Sequence, residues 1–155
     1  MTISAPRWDM TNVYPSLESK EFRSAFKKYN TQLKNLETFF AKRVSKAGAK
    51  TNTKTLGKLL GESVDRFNDI FVLSGTLGSY IYSFVTTDSR DKLAMRTLSE
   101  FEQVQVRQSM LNTQFQAWVG KLGKSALAKA IKTNPSAASH KFALLEIAEQ
   151  SKYLM

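Results

Sequence analysis

From Ser19 onward, large apolar residues return every three or four positions. Phe22, Phe26, Tyr29, Leu33, Leu36, Phe40 and Val44 follow steps of four, three, four, three, four and four. That spacing keeps the side chains on one helical face, so a first helix is predicted over about Ser19–Lys46. Lys27, Lys28, Lys34 and Glu37 lie off the stripe, and Gly48 with Thr51-Asn52-Thr53 closes the segment. A second helix is predicted over roughly Thr53–Thr86. Leu56, Leu60, Phe67, Ile70, Leu77, Ile81 and Phe84 form its main stripe, with Leu59, Val64, Phe71 and Leu73 beside it. Being apolar around more of its circumference, it is expected to be the central helix. Its glycines, Gly57, Gly61, Gly75 and Gly78, each cost about 1 kcal/mol of helix propensity. Gly75 and Gly78 sit among large residues and are expected to admit a neighbouring helix or to mark a kink.

Thr87-Asp88-Ser89-Arg90-Asp91 reads as a break, with Asp88 as N-cap and Asp91 reaching back from three residues on. The third helix is then expected over about Ser89–Lys121, with Ala94, Leu98, Phe101, Val104, Leu111, Phe115, Trp118 and Leu122 as its stripe. A short segment over about Ser125–Lys132 stops before Asn134-Pro135, and a last helix starts near Ser136 or Ser139. No segment alternates with period two. The predicted fold class is all-α, with long antiparallel helices forming a bundle or lobe over residues 19–155. Residues 1–18 read as an extended leader, because Pro6 and Pro15 oppose helix there. Its Trp8, Met10, Val13 and Tyr14 are expected to pack on the body. The closing stretch carries two apolar faces, one from Phe142 and Leu145, the other from Leu144, Ile147 and Leu154. Two faces suit a helix between two layers, so the chain is expected to be cut from a longer one.

Composition changes this picture in two ways. The chain has 155 residues and is 42% hydrophobic, enough for one domain with a core. It has no cysteine, which removes disulfides, thiolate nucleophiles and Cys-ligated zinc. With no signal-peptide core and no run of about 18 apolar residues, the expectation is a cytoplasmic protein without a membrane partner.

Charge adds more. The net charge of +10 is concentrated. Between Thr38 and Gly61 there are Lys42, Arg43, Lys46, Lys50, Lys54 and Lys58 and no acid. Between Gln103 and Leu145 there is again no acid, with Arg107, Lys121, Lys124, Lys129, Lys132 and Lys141. A basic patch can mean nucleic acid. These lysines lie among Ala, Gly, Thr and Ser without interleaved aromatics, which argues against that partner. Solvated lysine faces, or docking against an acidic missing part of the protein, account for them as well.

Candidate chemistry is sparse. His140 is the sole histidine and reads as a helix-start residue. A zinc site needs three or four His, Cys or carboxylate ligands, which one His and scattered acids do not supply. Glu62, Asp65 and Asp69 share helical spacing, but with Arg66 beside them they read as a solvated polar face. Gly75-Thr76-Leu77-Gly78 lacks the lysine and spacing of a phosphate loop. Tyr80 and Tyr82, on different faces, read as core residues. No catalytic and no metal residue is assigned, and the substrate-binding residues are left unassigned. Residue chemistry alone stops at a basic, all-helical domain.

Three stretches, in order, resemble a known family. "RWDMTNVYPSLESKEFRSAF" is similar to the opening of oligoendopeptidase F and its relatives, zinc metallopeptidases of the thimet-oligopeptidase clan, through Trp8-Asp9-Met10, Tyr14-Pro15-Ser16 and Phe22. "LGSYIYSFVTTDSRDKLAMRTLSEFEQV" resembles the family's Tyr-bearing helix, its Thr-Thr-Asp break at Thr86-Thr87-Asp88, and the long helix that follows. "HKFALLEIAEQSKYLM" resembles the helix leading into the rest of the N-terminal region. The family's chemistry resides in a His-Glu-x-x-His helix and a downstream glutamate, a pattern this chain lacks. The resemblance therefore implies the helical N-terminal lobe of a zinc oligopeptidase that hydrolyses short peptides, shaping the substrate channel and inactive by itself. It implies zinc only in the parent protein. The implied partners are the missing catalytic domain, short peptides, and a second copy through self-association. A stand-alone helical interaction module, or a basic nucleic-acid-binding domain, are the alternatives.

Overall fold

The computed structural model describes residues 9–151; the expectations for Pro6, Trp8 and Leu154 fall outside them. Helix α1, Lys20–Phe39, starts where the Ser19 hydroxyl accepts the Phe22 N–H at 3.2 Å, with Glu21 in its positive first turn. It does not run on as α-helix to Lys46. A π-helical turn, Phe40–Val44, follows it and buries Phe40 and Val44. The wider turn keeps both on the face that Leu33, Leu36 and Phe39 already bury.

Helix α2, Thr53–Thr87, is capped by Asn52, whose side-chain oxygen accepts the N–H groups of Lys54 and Thr55. Helix α3, Lys92–Leu122, begins one turn later than its sequence suggested. Asp91, not Asp88, is the N-cap, accepting the Ala94 N–H at 3.0 Å. Asp88 instead closes the preceding turn through the Arg90 N–H. Gly123, at φ +74°, ends α3 and opens α4, Lys124–Ile131. A left-handed residue there is natural only for glycine.

The last segment is two helices, α5, Pro135–Ser139, and α6, Lys141–Gln150. Asn134 caps α5 from just before Pro135, the arrangement proline favours at a first helical position.

Helices α1, α2 and α3 form the body, and α2 is central, touching α1, α3, α4 and α5. The α4–α6 layer covers the first half of α2 and the second half of α3. Among the described residues there is no strand, and the architecture is an all-α helical bundle. The core runs through Tyr29, Leu33 and Leu36, Leu60, Leu77 and Ile81, Phe101 and Val119, and Leu127, all at or near zero exposure. Burying each such side chain contributes about 1.5–3 kcal/mol. By length and composition alone α2 would suffice to cross a membrane. In the bundle its main stripe is the core just described.

Met10 and Tyr14 of the leader pack on the body, as expected, and Leu17 is buried beside them, while Val13 is exposed. Phe71 and Tyr82 are exposed too, against the sequence expectation, because the face of α2 that carries them has no helix over it there.

Candidate functional site

The leader end is built around aromatic rings. Tyr14 meets Phe22 and Tyr80 edge-on, with centroids 5.6 and 5.0 Å away. Phe84 stands edge-on to Tyr80 at 5.1 Å. The Tyr80 hydroxyl donates to the Tyr14 carbonyl at 2.7 Å, fastening leader to α2. Burial raises both tyrosines above their ordinary pKa, and for Tyr80 the neighbouring Tyr14 adds to it. Beside the rings is a hollow of about 320 Å³, bounded by Met10 and Pro15 of the leader, Phe84 of α2, and the carboxylates of Asp9, Asp88 and Asp91. Those carboxylates are already engaged. Asp9 accepts from both the N–H and hydroxyl of Thr11, which lowers its pKa, and Asp88 and Asp91 cap the turn and α3.

The middle of the bundle holds a buried polar contact. The Tyr29 hydroxyl donates to the Gln108 side-chain oxygen at 2.7 Å. Burial pushes the Tyr29 pKa up to about 12, against the opposing pull of Arg107. Arg107 itself grips Glu37 through two bonds of 3.1 and 2.7 Å, and that hydrogen bonding raises its pKa.

The carboxylates on α2 do not converge. Glu62 is held by Arg43 at 3.2 Å and Arg66 at 2.9 Å, and both guanidiniums lie over the Phe39 ring. Asp65 accepts from the Ser136 hydroxyl at 3.0 Å. His140 stands between α5 and α6, at the helix-start position expected, but caps nothing with its side chain. Its ring is instead a strut: Nδ1 lies 3.0 Å from the Ser136 carbonyl and Nε2 3.2 Å from the Asn68 amide. That pairing suits a ring protonated at Nδ1 and accepting at Nε2. Among the described residues, no group of three His, Cys, Asp or Glu could hold a metal ion. The described residues therefore do not fit a zinc ion.

Two surface features lay beyond sequence reasoning. Phe71 and Val72 on α2, Val106 on α3 and Phe142 at the start of α6 are exposed apolar residues, Phe142 at 82%. A second hollow, about 290 Å³, opens between α3 and α6 and is lined by Ala117, Gly120, Lys121, Ile147 and Gln150. Neither feature has a local sequence signature, since each depends on which faces the α4–α6 layer leaves open. Comparison with protein-family profiles, curated proteins and solved structures finds no match to this chain.

Proposed function

We propose that this chain is the helical N-terminal lobe of a zinc-dependent oligopeptidase of the oligoendopeptidase F type. In this reading it walls one side of the channel that admits short peptides. It carries no catalytic group of its own, and zinc and the water-activating glutamate belong to the rest of a cytoplasmic parent. One observation chiefly supports the reading. The elements that resemble the family are far apart in sequence, yet Tyr14, Phe22 and Tyr80 pack into one ring cluster. The Thr86-Thr87-Asp88 break that closes the second stretch borders the same hollow. Described residues of the first two stretches thus form one structural unit, while the third stretch packs on the second half of α3.

The test is the encoding gene. The reading frame is expected to continue past Met155 into a His-Glu-x-x-His helix; a stop codon directly after Met155 contradicts the proposal. A stand-alone interaction module is the second reading, favoured by the exposed Phe71, Val72 and Phe142. That stop codon, together with a stable complex of the 155-residue chain with another protein, would select it.

A further inference from the structure

The two acid-free stretches of the sequence fold onto one end of the bundle. Trp118 Nε1 donates to the Ala47 carbonyl at 2.8 Å, tying the end of α3 to the α1–α2 connection. The Thr133 hydroxyl reaches the Thr53 carbonyl, tying the end of α4 to the start of α2. Residues 9–28 and 80–103, the leader end, hold seven Asp or Glu and seven Lys or Arg. Residues 29–79 and 104–151 hold six against fourteen. Three of those six acids are held in ion pairs: Glu37 by Arg107, Glu62 by Arg43 and Arg66, Glu149 by Lys124. Lys121, Lys129 and Lys132 are exposed and make no ion pair among the described residues.

The hollow between α3 and α6 opens at this same end. Ala117, Gly120 and Ile147 give it an apolar floor, and Lys121 stands on its rim. Lys124 lies across from it, bonded to Glu149 of α6.

We infer that this end is a docking site for an acidic, amphipathic polypeptide segment of a partner protein. The partner seats an apolar side chain in the α3–α6 hollow and sets a carboxylate against Lys121 on its rim, with Lys129 and Lys132 adding to the positive charge of this end. An apolar pocket inside a charged rim is the anatomy of a protein interface. A nucleic-acid surface is disfavoured by two observations. Arg43, Arg66 and Arg107, the arginines of residues 29–79 and 104–151, are each paired with Glu62 or Glu37, so no free guanidinium is there to fork onto phosphate or guanine. Among the described residues no aromatic ring lines the hollow, so it offers no base-stacking platform. The inference does not depend on the peptidase reading.

The test uses the 155-residue chain and a fluorescent amphipathic helical peptide of Glu and Leu. A Gln-for-Glu version, random duplex DNA and phosphatidylserine vesicles are the competing probes. The Glu peptide is expected to bind, to weaken as salt rises, and to bind more tightly than any other probe. The combined Lys121→Glu, Lys129→Glu and Lys132→Glu variant should lose about tenfold or more in affinity. Ala117→Trp, which fills the hollow without changing charge, should weaken binding independently. Circular dichroism verifies that each variant keeps its helices, and Lys121→Gln with Lys132→Gln replaces the reversal if it does not fold. Failure of the Glu peptide to bind, tighter binding of DNA, vesicles or the Gln peptide, or wild-type affinity in the folded charge variant or in Ala117→Trp overturns the inference.

Discussion

Helix α2 has two halves that begin from similar residues and end in different surroundings. In the first half, Gly57 and Gly61 lie against the α4–α5 connection. A methyl group on Gly57 would meet the Thr133 hydroxyl and stand 2.5 Å from the Ala130 carbonyl, and one on Gly61 would meet the Asn134 side chain. In the second half, Gly75 has nothing within 4 Å, and Phe71 and Val72 beside it are 44% and 72% exposed. The difference teaches that glycine in a helix says nothing of itself. It is a contact only where a neighbour arrives: the α4–α5 connection at Gly57 and Gly61, and the Phe101 ring of α3 at Gly78, where a methyl group would stand 3.1 Å from it.

The largest expected contrast compares a core position of the covered half with a surface position of the open one. Leu60→Ala, at zero exposure, should cost about 2–5 kcal/mol, whereas Val72→Ala should stay within about 0.5 kcal/mol. Urea unfolding of both variants measures this, and similar losses would break the comparison. Next comes Gly57→Ala. Forcing a methyl against a backbone carbonyl costs about 1–3 kcal/mol, and the gain in helix propensity of about 1 kcal/mol does not offset it fully. A net loss of up to about 2 kcal/mol is expected, and a stabilised variant would show that the α4–α5 connection yields easily. Gly75→Ala should do the opposite and stabilise the fold by about 0.5–1 kcal/mol, because propensity is gained and nothing is struck. A loss there would reveal a neighbour over the open half.

Alkaline titration reports on the middle of the bundle. Tyr29 has a folded-state pKa of about 12, above its ordinary 10.0, so the fold favours the neutral phenol. That contribution is complete below pH 10 and is lost as pH rises toward 12. In Tyr29→Phe the stability should fall less steeply across this window, and an unchanged slope would assign the alkaline loss to other groups.

Much of this fold was legible in the sequence. The α1 stripe from Phe22 to Val44 and the α3 stripe from Ala94 to Leu122 face the core because three- and four-residue steps admit no other regular structure. The start of α3 was not legible, since Asp88 and Asp91 both offer capping chemistry and the packing of Ala94 decides between them. Nor was the π turn, which exists so that Phe39, Phe40 and Val44 can all be buried. Of the two glycines expected to admit a neighbouring helix, Gly78 packs on the Phe101 ring of α3 and Gly75 proved idle, while Gly57 and Gly61, less conspicuous by sequence, carry contacts to the α4–α5 connection. Such contacts join residues more than seventy positions apart, and no local pattern encodes them. The α3–α6 hollow depends on how one short helix seats on a long one, which spacing does not disclose.

The central claim is that this bundle serves a larger zinc peptidase. Its most direct test is to express the whole reading frame that contains these residues and follow cleavage of a quenched fluorescent short peptide, with and without a zinc chelator. The account predicts cleavage by the full product, its loss on chelation, and none by the 155-residue chain alone. A full product that leaves the peptide intact with zinc present, or cleavage by this chain alone, would contradict it.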